Sequence, residues 1–138
     1  MPGTTAALHN MIIGVADRDA AVRWFVDLLG LREPWENGFF QSVQLDDLVV
    51  LNFAAAPAPA EPQHYAFLVP EQHFDRVKAR FDADGTPYQA DPPGRRPGEV
   101  GEVNADGTGR RLHSRGHGHL LEVLTARYTD VPGASRPT

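Results

Sequence analysis

In Leu8-His9-Asn10-Met11-Ile12-Ile13-Gly14-Val15, a mostly apolar run begins next to a histidine, and its length and composition predict a β-strand. A second run of this kind, His64-Tyr65-Ala66-Phe67-Leu68-Val69, begins at a histidine in the other half of the chain. A helical pattern that ends at a glycine follows each run, at Gly30 and at Gly85. The repeated order indicates an internal duplication, and the matched histidines favour duplication over chance.

Each predicted helix is followed by a run of predicted strands. The first helix begins after Asp17 or Asp19, and the second covers about 71–84. The strands are predicted at about 39–45, 48–54, 86–90, 110–114 and 119–125. The segments between elements are a connection at 31–38, a long loop at 91–109 and a hairpin turn at 115–118. The predicted fold class is α+β, built from two β-α-β-β-β modules, of which the first has only two strands located after its helix.

The length of 138 residues predicts a single domain over residues 1–138. Module one covers about 8–54 and module two covers about 63–126. An alanine- and proline-rich linker at 54–62 joins the modules, and a tail at 127–138 follows the second one.

The composition argues against several classes of function. The net charge is −5 and the basic residues are scattered, which argues against a nucleic-acid partner. The absence of cysteine excludes disulfides, thiolate metal sites and cysteine nucleophiles. No apolar run approaches the length of a membrane span, and the N-terminus lacks a signal-peptide pattern. We therefore expect a cytoplasmic protein without a membrane partner.

His9, His64 and Glu122 are the candidate metal ligands. Glu122 is the only acid in the apolar run His119-Leu120-Leu121-Glu122-Val123-Leu124-Thr125. A carboxylate in such a run is costly to bury unless it is paired, protonated or bound to a metal. Two imidazoles and one carboxylate form a facial ligand set that leaves positions open on a divalent ion. The sequence therefore predicts a divalent metal ion, with iron, manganese, nickel and zinc left open.

Four segments in this order resemble the vicinal oxygen chelate superfamily, over about residues 8–128. The segments are Leu8–Val15, Phe25-Val26-Asp27-Leu28-Leu29-Gly30-Leu31, Gln63–Val69 and Gly118-His119-Leu120-Leu121-Glu122-Val123. The superfamily includes glyoxalases, bleomycin-resistance proteins, fosfomycin-resistance thiol transferases and extradiol dioxygenases. The resemblance implies cupped mixed sheets, a divalent ion at His9, His64 and Glu122, and a homodimer. It leaves open whether the site lies within one chain or is shared between two.

The chain departs from the superfamily at positions that define particular reactions. Where glyoxalase I proteins carry a fourth ligand, a glutamate, this chain offers only Leu51 or Asn52. The threonine of the fosfomycin transferases is Met11, and the tyrosine of the extradiol dioxygenases is Leu112, next to His113. The resemblance therefore implies the fold and the metal but not the reaction.

The preferred interpretation is a small metal-dependent enzyme of the dioxygenase or lyase/isomerase type. Strand alternation predicts apolar walls around the ligands, which suits a small, partly apolar, chelating substrate. The alternatives are a non-catalytic antibiotic-binding protein of the bleomycin-resistance kind and a metal-dependent thiol transferase. His113 is the candidate catalytic acid or base.

Other polar residues near the predicted site have simpler interpretations. We interpret His117 as a turn residue and His119 as a strand residue on the surface. A carboxylate substrate could be bound by Arg95, Arg96, Arg110 or Arg111, although ordinary solvated charges on a loop are the simpler interpretation.

Overall fold

The computed structural model describes residues 5–46, 48–56 and 61–129. These residues form β1 (Asn10–Val15), α1 (Arg18–Leu29), β2 (Trp35–Asn37), β3 (Phe40–Gln44), β4 (Val50–Ala55), β5 (His64–Leu68), α2 (Glu71–Asp84), β6 (Gly101–Glu102), β7 (Arg110–Gly116) and β8 (His119–Leu124). The chain divides into two compact units, Met1–Glu61 and Pro62–Thr138. Each unit has its own helix and its own sheet.

Both units have the same topology. The strand order is β1-β4-β3-β2 in the first sheet and β5-β8-β7-β6 in the second. In each sheet the first strand of the unit lies parallel to the last, and the other pairs are antiparallel. The predicted α+β fold, with two β-α-β-β-β modules and mixed sheets, is therefore confirmed. That the two units form one domain over residues 1–138 stays a prediction.

The local sequence explains where α1 begins, where it ends and which face of the first sheet it covers. The carboxylate of Asp17 accepts a hydrogen bond from the backbone N of Ala20 at 3.1 Å and so caps the helix. Gly30 ends the helix with a φ of 66°, which glycine adopts without steric cost. The ring centroids of Phe25 in α1 and Phe53 in β4 are 5.2 Å apart. The helix therefore covers the sheet face that carries Phe53.

Arg110 identifies the face of the second sheet that α2 covers. Its guanidinium carbon lies 4.3 Å from the ring centroid of Phe74, and its nitrogens donate hydrogen bonds to Glu71 and Asp75. Because side chains alternate along a strand, the next residue, Arg111, points to the opposite face. We call this opposite face the open face of the second sheet. Its residues, which pair across β5, β8 and β7, are His64, Ala66, Leu68, Leu120, Glu122, Leu124, Arg111, His113 and Arg115.

Three predicted segments differ from the structure. Residues 86–90 form no strand, because only Gln89 takes part in isolated bridges there. The predicted connection at 31–38 contains β2, and the predicted loop at 91–109 contains β6. At the start of β6, a Cβ on Gly101 would lie 2.7 Å from the carbonyl oxygen of Ala90. Only glycine allows this close approach, so the residue is a condition for β6 to form.

The turn between β7 and β8 is shorter than the four-residue turn predicted at 115–118. His117 and Gly118 have φ values of 51° and 85°, as the two central residues of a type I′ hairpin turn require. His117 lies in the turn, as predicted. His119 is buried rather than on the surface, and its Nδ1 accepts a hydrogen bond from the backbone N of Gln63.

Parts of two predicted segments lie outside the described residues. For the linker at 54–62 these are residues 57–60, and for the tail at 127–138 they are residues 130–138. Of the two described helices, neither combines the length and the apolar composition needed to cross a membrane.

Candidate metal centre

Three ionisable side chains meet on the open face of the second sheet. His64 is the first residue of β5, Glu122 lies in β8 and His113 lies in β7. Because β8 pairs with both of the other strands, the register places His113 directly opposite Glu122. One nitrogen or oxygen atom from each side chain lies within 4.8 Å of the others. The structure thus brings two of the predicted ligands together with the predicted acid–base residue.

Both imidazoles direct a nitrogen at the same oxygen of Glu122. The Nε2 atom of His64 lies 2.9 Å from Oε1 and is hydrogen-bonded to it. The Nε2 atom of His113 lies 3.0 Å from Oε1, but its orientation does not make a hydrogen bond. The ring centroids of the two histidines are 5.4 Å apart. The three donor groups therefore surround one small volume.

The cluster is buried on one side and accessible on the other. His113 is 0% exposed and Glu122 is 1% exposed, whereas the side chain of His64 is 42% exposed. Burial acts to raise the pKa of Glu122. The contact with His113 and the charges of His113, His64 and Arg111 outweigh burial and hold the pKa of Glu122 below its ordinary value. The carboxylate is therefore ionised at neutral pH, as a metal ligand must be.

Several buried polar atoms of the cluster have no hydrogen-bond partner within the described part of the chain. They are Nδ1 and Nε2 of His113 and Oε2 of Glu122. Leaving such an atom unsatisfied costs about 1–3 kcal/mol, so native proteins rarely do it. A divalent ion would supply a partner for Nε2 of His113 and for the carboxylate of Glu122, and two imidazoles with one carboxylate leave further positions open for a substrate. The residues present therefore fit a divalent metal ion.

The segment at 86–90 fixes the backbone of His113, although it forms no strand. The backbone N of His113 donates to the carbonyl of Gln89 at 2.8 Å, and the N of Gln89 donates back to the carbonyl of His113 at 2.9 Å. The other edge of His113 faces β8. The imidazole is therefore carried by backbone that is held on both sides.

His9 belongs to the first unit and precedes β1. The carbonyl of His9 accepts a hydrogen bond from the backbone N of Val50 at 2.9 Å. In the second unit, the equivalent hydrogen bond runs from the backbone N of Leu120 to the carbonyl of Gln63, the residue before His64, at 2.9 Å. This correspondence makes Asn10, and not His9, the counterpart of His64. The Nδ1 atom of His9 lies 2.8 Å from the Nδ2 atom of Asn10. Ligation of the ion by His9 stays a prediction.

The first sheet carries neutral groups where the second sheet carries the cluster. On the face opposite α1, the counterparts of His64, His113 and Glu122 are Asn10, Ser42 and Asn52. The hydroxyl of Ser42 donates to Oδ1 of Asn52 at 2.6 Å, and Nδ2 of Asn52 donates to Oδ1 of Asn10 at 3.3 Å. Within the described ranges, only the second sheet gathers three side chains of the kinds that hold a metal ion.

The structure separates the arginines that the sequence singled out. Arg110 binds α2, and Arg96 pairs with Glu99 and Glu102. Arg111 lies on the open face, two residues from His113, and its buried Nε has no hydrogen-bond partner among the described residues. Arg111 and His113 are two residues apart in the strand predicted at 110–114, so strand alternation could have shown from the sequence that Arg111, and not Arg110, shares a face with His113.

Solved structures of other proteins match this chain over nearly its whole length. Oxidase ChaP-H1 is 40% identical, with 89% of this chain and 98% of that chain covered and a TM-score of 0.81. Oxidase ChaP-H2 is 38% identical, with 91% and 98% covered and a TM-score of 0.83. Lactoylglutathione lyase from Agrobacterium tumefaciens is 18% identical, with 96% and 100% covered and a TM-score of 0.65, which shows the fold alone.

The chain belongs to the same family as Oxidase ChaP-H1 and Oxidase ChaP-H2, and it has the fold of the vicinal oxygen chelate superfamily. The resemblance that the sequence shows to this superfamily is thereby confirmed. The sequence matches no protein-family model and no curated protein. His64, His113 and Glu122 form a set that could hold a metal ion, in agreement with the metal that the resemblance implies.

Proposed function

We propose that the protein is a small metal-dependent oxidase that acts on a small, partly apolar substrate with two adjacent oxygen atoms. The observation that carries the proposal is the buried carboxylate of Glu122. Two histidine nitrogens are directed at one of its oxygens, and the other oxygen has no partner among the described residues. The names Oxidase ChaP-H1 and Oxidase ChaP-H2 favour oxidation within the dioxygenase group over lyase or isomerase chemistry.

His64, His113 and Glu122 would hold the ion. Such an ion, when bound, supplies a Lewis acid for the substrate oxygens and, if it is iron, a means of activating oxygen. Glu122 contributes a single negative charge and the histidines bind as neutral groups, so the centre keeps a net positive charge that favours an anionic chelating substrate. Leu68 and Leu124, on the same face, offer an apolar wall beside it. The exposed side of His64 gives the substrate access.

The proposal includes a homodimer, as the resemblance to the superfamily implies, and a cytoplasmic location, as the sequence features predict. It is preferred over the bleomycin-resistance kind of protein, whose usual members lack metal ligands. It is preferred over thiol transfer because Met11 stands where the fosfomycin transferases have threonine.

The metal content of protein purified without chelator tests the proposal. We expect about one ion of iron, manganese, nickel or zinc per chain, since a preformed set of three ligands binds such ions in the folded state. The variant His64→Ala should lose the ion. The matched control His73→Ala removes a histidine of α2, outside the cluster, and should keep it. The iron-loaded protein should then consume oxygen in the presence of a catechol.

Two results would contradict the proposal. One is a folded His64→Ala variant that keeps full metal occupancy. The other is wild-type protein that holds no metal and takes none up on reconstitution, which would favour the antibiotic-binding alternative.

A further inference from the structure

We propose that Arg111 binds an anionic group of the substrate, a carboxylate or an oxyanion that lies beside the two oxygens held at the metal centre. The inference rests on the proposed function, because it takes the substrate to lie against His64, His113 and Glu122. It identifies the substrate class as a small chelating acid.

The position of Arg111 places its side chain next to the cluster. Arg111 and His113 are two residues apart on β7, so their side chains share the open face at a spacing of about 7 Å. The cross-strand neighbours of Arg111 are Leu124 on β8 and Gly101 on β6. A leucine side chain offers no acceptor and a glycine has no side chain, so neither neighbour's side chain satisfies the guanidinium.

The hydrogen bonds of two consecutive arginines show that Arg111 has donors left for a ligand. On the helix side, Arg110 donates from Nε and Nη2 to Glu71 at 2.9 and 2.7 Å and from Nη2 to Asp75 at 2.8 Å. On the open face, the buried Nε of Arg111 has no partner in the part of the chain that the structure describes. A guanidinium presents its donors as a planar fork that matches a carboxylate, so Arg111 is suited to bind one.

The charges at the centre favour the same substrate class. A divalent ion bound by the single carboxylate of Glu122 and by neutral His64 and His113 keeps a positive charge, and Arg111 adds another beside it. A substrate that carries an acid group in addition to its chelating oxygens would neutralise both. A neutral substrate would leave a net positive charge at the centre.

Calorimetric binding of two matched probes tests the inference. The probes are 3,4-dihydroxybenzoate and 3,4-dihydroxybenzamide, which share the chelating catechol and differ in the charge of one group. The protein is loaded with Zn²⁺, which is not redox-active, so that the probes bind without being oxidised. We expect wild type to prefer the acid by at least tenfold, since a hydrogen-bonded ion pair is stronger than a neutral contact.

The variants separate Arg111 from general effects on the fold. In Arg111→Gln the preference should fall to about onefold, with zinc content and amide affinity unchanged, because only the charge-assisted contact is lost. Arg111→Lys should keep part of the preference, since lysine retains the charge without the fork. Arg110→Gln is the matched control on the other face of the same strand and should keep all of it.

Several outcomes would overturn the inference. The first is that wild type shows no preference for the acid. The second is that Arg111→Gln loses affinity for both probes equally, and the third is that this variant keeps the full preference for the acid. If wild type binds no zinc, the metal centre of the proposed function fails, and the same two probes are applied to the metal-free protein. A preference for the acid that disappears in Arg111→Gln would then still uphold the role of Arg111, and its absence would refute it.

Discussion

The third metal ligand can be identified from how strongly a divalent ion stabilises each of two matched variants, His113→Gln and His9→Gln. Both changes replace an imidazole by an amide and keep a polar side chain. His113 is fully buried and its Nε2 lies 3.0 Å from the carboxylate of Glu122, whereas His9 is a residue of the first unit. We therefore expect His113→Gln to abolish stabilisation by the ion and His9→Gln to preserve it.

The size of the effect follows from where the ligands lie. His64, Glu122 and His113 are on β5, β8 and β7, which are adjacent only in the folded chain, so the ion binds the folded state. At a free concentration one hundred times Kd, such an ion adds about 2.7 kcal/mol to the free energy of unfolding. For a chain of 138 residues, about 4 °C of Tm corresponds to 1 kcal/mol, so Tm should rise by about 10 °C in wild type.

Differential scanning calorimetry with and without Zn²⁺ measures this rise. Each variant is compared with its own metal-free form, so that any intrinsic loss of stability cancels. We expect a rise of about 10 °C in wild type and in His9→Gln, and none in His113→Gln. A full rise in His113→Gln, or its loss in His9→Gln, would refute the ligand set of His64, His113 and Glu122 and would return His9 to the third position.

Two further predictions concern stability. The hydrogen bond from Arg110, with a further one from Thr125, holds the pKa of Glu71 below its usual value of 4.5. The ionised form therefore stabilises the fold above pH 4.5, and this stability is lost as the pH falls through the lowered pKa. Glu71→Gln should therefore lower the urea midpoint at pH 7, and this effect should shrink as the pH falls below 4.5. Gly109→Ala should lower the free energy of unfolding in urea by about 1–3 kcal/mol more than Gly107→Ala does. Both glycines have positive φ, but of the two only Gly109 would place its new Cβ in a crowded position, 2.7 Å from the Cβ of Ala126. Equal losses in the two variants would contradict this packing argument.

The duplicated order of elements could be predicted because each signal for it is local. Apolar runs of strand length lie next to a histidine in both halves, and Asp17, Gly30 and Gly85 mark helix ends by the backbone groups they satisfy or the conformations they allow. The short strand β6 has no such signal. It exists because Gly101 allows close approach to Ala90, which is a contact between residues distant in sequence.

Which residues meet at the site depends on the strand register, and the turn predicted at 115–118 gives the wrong register for the β7–β8 hairpin. A four-residue turn at 115–118 would pair His113 with Leu120. The two-residue turn at His117 and Gly118 pairs His113 with Glu122 instead, and so brings a second nitrogen to the cluster. A glycine at the second turn position was the signal for the shorter turn.

The two sheets provide an internal comparison of what the fold requires and what the site requires. At corresponding positions the first sheet holds Asn10, Ser42 and Asn52, whose polar groups bond to one another, and the same topology forms around them. The second sheet holds the cluster of His64, His113 and Glu122, where buried atoms have no partner among the described residues. Since a neutral, satisfied set supports this topology, folding alone does not explain an ionisable set that costs stability. Binding of an ion explains it, because an ion gives one nitrogen of His113 and the carboxylate of Glu122 a partner that the described residues do not supply.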